Sequence, residues 1–258
     1  MLNHKKTAVL FITSLLLLAI LSLFVAVNFW YFGLVGGLWF LISVFGSSFI
    51  GSNYHVKAYC NNPHETQNHI AITFDDGPHE MTLSILKVLK EHGVKATFFC
   101  IGKNIEKHPE ILIKIIEDGH LIGNHSFSHS RVFDFYRKNQ VIEELRDTDA
   151  IIEKFTGKKP RFFRPPYGVT NPSIRRALTV TKHLVLGWNI RSLDAVIRNE
   201  KTVLNRITKR ISPGGIVLLH DTSLHTVHVL EQLLVFLREK KYEVVSLEQL
   251  LNLKAYEN

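Results

Sequence analysis

The first fifth of the chain has almost no polar rhythm. From Thr7 to Ile50, 44 residues run without a charged side chain, where one bilayer-crossing helix needs about 20. That length predicts two membrane spans, about 8–27 and 30–49. Asn28 and the aromatic cluster Phe29, Trp30 and Tyr31 fall at the turn between them, where interfacial aromatics belong. One long tilted span is the alternative. A cleaved signal peptide fits less well, because its apolar region is usually about 7 to 15 residues and no cleavage site is evident.

After Gly51 the pattern changes to short β-branched and aromatic runs alternating with helical periods. Strands are predicted at 69–75, 95–101, 120–125, 161–165, 183–188, 215–220 and 242–247. Between them, apolar residues recurring at three and four predict helices over 81–93, 108–119, 139–157, 171–181, 201–211 and 226–240. Several of these end at Gly or start beside Pro. Seven strands alternating with helices imply an α/β fold with a parallel sheet, either closed as a barrel or open and doubly wound. Both architectures place the functional site at the C-terminal ends of the strands. Asp75 and Asp76, His125, Arg164, Asp194, and His220 with Asp221 all fall at or just beyond such an end.

Composition alters this picture little. The 258 residues are 46% hydrophobic and 21% charged, which suits a folded protein rather than a disordered one. The formal charge of +8 comes from Lys and Arg scattered along the chain, with no nucleic-acid motif, so a solvated basic surface beside a membrane is favoured over nucleic-acid binding. His4, Lys5 and Lys6 argue for a cytoplasmic N-terminus. Two spans then return the chain to the cytoplasm and one places residues 51–258 outside, so the side of the membrane stays open. Cys60 and Cys100 fit either a disulfide or two free thiols.

The strand ends carry the candidate chemistry. In "GNHSFSH", His125 and His129 are four apart, which on a helical turn puts both imidazoles on one face, as a divalent metal needs. Two His and one carboxylate form a common catalytic site for Zn²⁺ or another first-row metal, and Asp76 is the leading third ligand. In "RFFRPPYG" the two prolines fix a rigid exit from a strand, holding Arg164 and the Tyr167 peptide in place; a solvated loop arginine is the alternative. His220 ends a buried-looking strand and can donate or accept a proton near neutrality. Asp194 is a carboxylate that serves the site or caps the helix beginning near Asn199.

Taken together, "TFDDGP" (73–78), "HSFSH" (125–129), "RPPYG" (164–168), "WNIRSLDA" (188–195) and "LLHD" (218–221) resemble, in order and spacing, the five motifs of the polysaccharide deacetylase family. These are the chitooligosaccharide-deacetylase-like enzymes of carbohydrate esterase family four, with a NodB homology domain. The resemblance covers residues 66–250. It implies a distorted barrel of about seven strands and helices and a metal-dependent hydrolase removing acetyl groups from sugars. It assigns Asp76, His125 and His129 to a metal, Zn first with Co, Ni or Mn possible. Asp75 takes the role of catalytic base, Arg164 of the arginine that orients it, His220 of general acid, Asp194 of the carboxylate holding that acid, and the Tyr167 N–H of oxyanion donor. Leu218, Pro165 and Trp188 are expected to touch substrate, Leu218 as part of a slot for the acetyl methyl. Two departures bear on substrate choice: Ala195 where many relatives carry Trp, and Arg191 where an acidic residue is frequent.

The expected organisation is a membrane anchor at 1–50, a connector at 51–65 and a catalytic domain at 66–258. The expected substrate is an N-acetylated glycan: peptidoglycan, an exopolysaccharide or a chitin-like oligomer. A lipid-linked sugar processed at the cytoplasmic face, with deacetylation or deformylation, is the second reading, and a catalytically silent glycan-binding module the third. Oligomeric state is not legible.

Overall fold

The computed structural model describes residues 3–257; the outer limits expected for the anchor and the catalytic domain, residues 1 and 258, lie outside them. Helices α1 (His4–Leu21) and α2 (Trp30–Ser48) are each long and apolar enough to cross a membrane. Asn3 caps α1 by accepting the Lys6 N–H, and the Asn28 side chain accepts the Trp30 N–H where α2 begins. Phe11 and Trp39 stack between the two helices at 6.2 Å. Most of their other apolar side chains are exposed. Both helices end earlier than the expected spans, the first at Leu21 rather than near 27 because residues 22–25 form successive tight turns.

The rest alternates strands and helices. In chain order these are β1 (Ala58–Tyr59), β2 (His69–Asp75), α3 (Thr82–Glu91), β3 (Thr97–Cys100), α4 (Gly102–Lys107), α5 (Pro109–Glu117), β4 (Leu121–Asn124), α6 (Lys138–Thr156), β5 (Phe162–Phe163), α7 (Pro172–Thr181), β6 (Leu184–Leu186), β7 (Ile190–Arg191), α8 (Glu200–Thr208), β8 (Gly215–His220), α9 (Leu224–Glu239), β9 (Glu243–Val244) and α10 (Leu247–Leu251). The ladders between strands are parallel. The sheet runs β1-β6-β5-β4-β3-β2-β8-β7, with β9 pairing on β2.

The expected barrel curvature follows from connectivity. β6 and β7 lie near opposite ends of that path, yet only residues 187–189 join them. So short a link spans at most about 14 Å, so the two ends of the sheet must face each other. The barrel is distorted because no ladder joins β1 to β7 among the described residues.

Strand alternation then sorts the side chains. Ile70, Ile72 and Phe74 of β2 and Val217 and Leu219 of β8 face outward into the core shared with the helices. The inner face carries Ala71, Phe99, Phe162, Leu186 and Ile216, closed below by Val245, Leu247 and Leu250. Residues of that same parity, two further along their strands, are Asp75 after Thr73, His125 after Gly123, Arg164 after Phe162, and His220 after Leu218. The expected strand at 242–247 is a strand only at Glu243–Val244, because Ser246 accepts the Gln249 N–H and starts α10.

Candidate active site

The inward strand ends bring Asp75, His125, Arg164 and His220 to one rim of the barrel. Arg164 is not a solvated loop residue: it is fully buried. Its Nη1 donates to Asp75 Oδ1 at 2.7 Å and to Thr73 Oγ1 at 2.8 Å. Nε and Nη2 donate to the carbonyls of Leu186 and Gly187 at 3.1 and 2.9 Å. The guanidinium also lies 4.1 Å from the Phe99 ring centroid. Burial lowers the Arg164 pKa, with Asp75 opposing that shift. A buried charge so completely paired holds its carboxylate in one orientation. Arg164→Ala strands the Asp75 carboxylate without a counter-charge, and unfolding by urea should show a loss of about 3–5 kcal/mol; a change under about 1 kcal/mol would contradict the pairing described here.

Asp76 leaves the strand in the left-handed region, φ 76°, which costs a non-glycine residue of order 1–3 kcal/mol unless its surroundings fix it. Asn104 Nδ2 donates to the Asp76 carbonyl at 2.7 Å and the Ile101 N–H to the Gly77 carbonyl at 2.8 Å. Gly77 is required by the close approach of Asp221, whose carboxylate occupies the place a Cβ would take. That Asp221, of opposite parity to His220, is fully buried behind the turn and accepts from Thr82 Oγ1 at 2.6 Å. Burial pushes it up to about 7 despite that bond.

The two histidines do not lie on a helical turn. Residues 125–130 form a loop, with Ser126 and His129 at φ 63° and 45°, and side-chain acceptors shape it. Asn124 Oδ1 accepts the Ser126 N–H and Ser126 Oγ the His129 N–H. From α6, Glu144 takes the N–H groups of Phe127 and Ser128 and the Ser128 hydroxyl. The loop achieves what the spacing promised by another route. His125 Nε2 and His129 Nε2 stand 3.4 and 3.5 Å from Asp76 Oδ1, and one ligand atom from each of the three residues lies within 4.8 Å of the others.

This donor set fits a divalent metal. Bonds of about 2.0–2.2 Å to N and O place neighbouring ligand atoms roughly 3.0–3.5 Å apart. The Arg164 carbonyl lies 2.7 Å from His125 Nδ1; since a carbonyl only accepts, Nδ1 carries the proton and Nε2 offers its lone pair, as in metal-ligating histidines. Burial, helped by the charge of His125, lowers His129 to about 4, leaving it neutral at pH 7. Burial would raise Asp76, but the hydrogen bond and charge of His125, with His220 and His129 beyond, hold it far below the usual carboxylate range. His125 itself is raised, because Asp75 and Asp76 outweigh its burial. The adjacent carboxylates share His125 as a neighbour, Asp75 Oδ2 lying 3.8 Å from its Nε2, while Oδ1 belongs to Arg164.

Across the rim, His220 Nδ1 is 2.8 Å from Asp194 Oδ1 and the His220 N–H donates to Asp194 Oδ2 at 2.8 Å. Ser192 Oγ and Thr226 Oγ1 donate to the same carboxylate at 2.6 and 2.8 Å. Asp194 is therefore no helix cap; Asn199 caps α8. Burial lowers the His220 pKa but Asp194 outweighs it, bringing the imidazole up to about 9. Tyr167, at φ 58°, leans its ring on His129 at 4.9 Å. Leu218 and Pro165 are buried and Trp188 half-buried. Ala195 is exposed and with His220 lines a cavity of about 400 Å³.

The profile of the family described as polysaccharide deacetylase matches residues 62–184. The chain is 34% identical over 189 residues to the peptidoglycan-N-acetylmuramic acid deacetylase PdaC of Bacillus subtilis, covering 73% of this chain but 40% of PdaC. A crystal structure of the Bc1960 peptidoglycan N-acetylglucosamine deacetylase superposes with a TM-score of 0.72 at 30% identity, covering 77% of this chain and 94% of that one. A pseudoenzyme of Bacillus anthracis, BA3943, shares the fold at a TM-score of 0.67 and 28% identity, over 73% and 66% of the two chains. The fold alone therefore does not guarantee turnover, and the residues must carry that part.

Proposed function

Because the chain belongs to the polysaccharide deacetylase family, we propose that it is a membrane-anchored, metal-dependent hydrolase that removes acetyl groups from an N-acetylated amino sugar of a glycan. Residues 66–258 form the catalytic domain on this reading, and α1 and α2 the anchor. The observation that carries it is the meeting, on one rim, of a buried Asp–Arg pair, a His-His-Asp donor set and a His–Asp pair. A silent binding module has no use for all three.

Asp76, His125 and His129 would hold the metal, with Zn first among the candidates. When bound, such an ion polarises a carbonyl and acidifies water. Asp75, its Oδ1 fixed by Arg164, takes a proton from the attacking water through Oδ2. Water oxygen bonds to the acetyl carbon, and the oxyanion that develops accepts a hydrogen bond from the Tyr167 N–H, which has no other acceptor among the described residues. His220, protonated at neutral pH, gives a proton from Nε2 to the sugar nitrogen as the carbon–nitrogen bond breaks, and acetate and a free amine leave. Leu218 forms part of the slot for the acetyl methyl, with Pro165 and Trp188 against the sugar.

Incubation of the full chain with N-acetylglucosamine oligomers should release acetate and free amine in equal amounts. Oligosaccharide binding without release, across several divalent metals, would instead favour the silent module. The acid role has its own signature. With His220 at about 9, kcat falls as pH rises through that value, because the acid loses its proton. Asp194→Asn removes the charge that raises it, so this alkaline limb should move down by about two units and kcat at pH 8 should drop ~10-fold. A pH profile with an unmoved limb would separate the pair from the reaction.

A further inference from the structure

The end of α2 packs against the catalytic body beside the active site. The Ser47 carbonyl accepts the Thr170 N–H at 3.0 Å, three residues beyond Tyr167, and Ser47 Oγ lies 2.9 Å from His55 Nε2. A Cβ at Gly46 would run into the Tyr54 ring. The helix end is thus fixed relative to the rim, and the seam between them is a cavity of about 460 Å³.

Phe49 and Ile50, which continue the apolar helix, line this cavity together with Tyr167 and Trp188 from the rim of the site. Arg191, Arg206 and Arg210 also line it, and no acidic side chain does. Among the described residues none of the three forms a salt bridge, whereas Lys87, Lys159 and Arg164 do. Arg206 Nε donates to the Arg191 carbonyl at 3.0 Å, and the Arg191 guanidinium stands 5.8 Å from the Trp188 ring centroid.

Three guanidiniums without carboxylate partners around one cavity suit an oxyanion, which their planar donor sets grip well. An uncharged polysaccharide would not use them. The cavity lining brings together the end of an apolar helix, three guanidiniums and the ring leaning on His129, so its ligand has an apolar, an anionic and a sugar portion. We infer that the seam binds the phosphate or diphosphate of an amino sugar carried on a membrane lipid, presenting its acetamido group to the strand-end site. This rests on the deacetylase reading and names its substrate class as lipid-linked.

The test is equilibrium binding to the full chain in detergent micelles, carried in an Asp75→Asn background so that bound probe is not consumed. The probes are farnesyl diphosphate-linked N-acetylglucosamine and uncharged octyl N-acetylglucosaminide. Phosphatidylglycerol vesicles serve as a third arm with the reconstituted chain. Combined Arg191→Gln, Arg206→Gln and Arg210→Gln should weaken the diphosphate probe about tenfold or more and leave the uncharged glycoside within roughly twofold. Equal affinity of parent and variant for the diphosphate probe would overturn the inference. So would a loss of vesicle binding as large as the loss for the sugar probe, which would make the arginines a general contact for anionic lipid headgroups. With Asp75 restored, the triple variant should release acetate from uncharged N-acetylglucosamine oligomers at the parent rate. If the parent releases acetate neither from the oligomers nor from the diphosphate-linked sugar, the deacetylase reading fails, and the binding comparison still decides the seam.

Discussion

Asp75→Asn is expected to lower acetate release by about 10³-fold while metal content stays at the level of the parent chain. Asparagine keeps the shape and can still accept from Arg164 through its amide oxygen, so the turn around it has no reason to move. What it loses is basicity at the oxygen that faces the site. Asp75 Oδ2 lies 3.8 Å from His125 Nε2, beside the donor set but not the atom that both histidines approach. Turnover and metal content measured on the same protein separate the two roles: a loss of metal along with turnover would mean that Asp75 is a ligand.

Its neighbour should behave in the opposite manner. Asp76→Asn removes the one carboxylate oxygen that stands 3.4 and 3.5 Å from the two imidazoles, and metal affinity should fall by more than ~100-fold, since losing even a supporting residue costs about 10–100-fold. Activity should return only in part at high metal concentration. Competition against a fluorescent chelator measures the affinity directly. An unchanged affinity would take Asp76 out of the donor set and leave the His125–His129 pair to be explained as two packed loop residues.

Much of this site was legible in the sequence because parallel sheets place function at strand ends, and the strands were marked by unbroken β-branched and aromatic runs. β2 and β8 match their predicted limits residue for residue, 69–75 and 215–220. Alternation then fixes which side chains reach the interior, which is why Asp75, Arg164 and His220 meet although they are distant in sequence. The histidine pair meets at Asp76 without the helical turn that its spacing implies. Its spacing suggested a helical face, whereas the loop is set by Asn124, Ser126 and Glu144 through side-chain bonds to backbone N–H groups. No periodicity encodes such bonds, and Glu144 lies on α6 among ordinary helix-surface positions.

The same limit explains the other supporting residues that the sequence did not single out. Thr73 bridges Arg164 and the Val217 carbonyl, Asn104 fixes the strained Asp76 peptide, and Ser192 and Thr226 complete the shell around Asp194. Each is a common polar residue whose role exists only in the folded contact. Thr73 had one usable signal, its place two residues before Asp75 on the same face of a buried strand. The short strands β1 and β7 leave no mark in the sequence because two residues carry no pattern, and α10 leaves none because the apolar run at 242–247 reads as strand until Ser246 caps a helix.

The central claim is that the His-His-Asp donor set, the Asp75–Arg164 pair and the His220–Asp194 pair act together as one metal-dependent deacetylase. It is tested most directly by acetate release from N-acetylglucosamine oligomers before chelation, after chelation and after Zn²⁺ is returned. Release that disappears with the metal, recovers with it and stays absent in Asp76→Asn is the predicted result. Release that continues unchanged in chelator and in Asp76→Asn would contradict it.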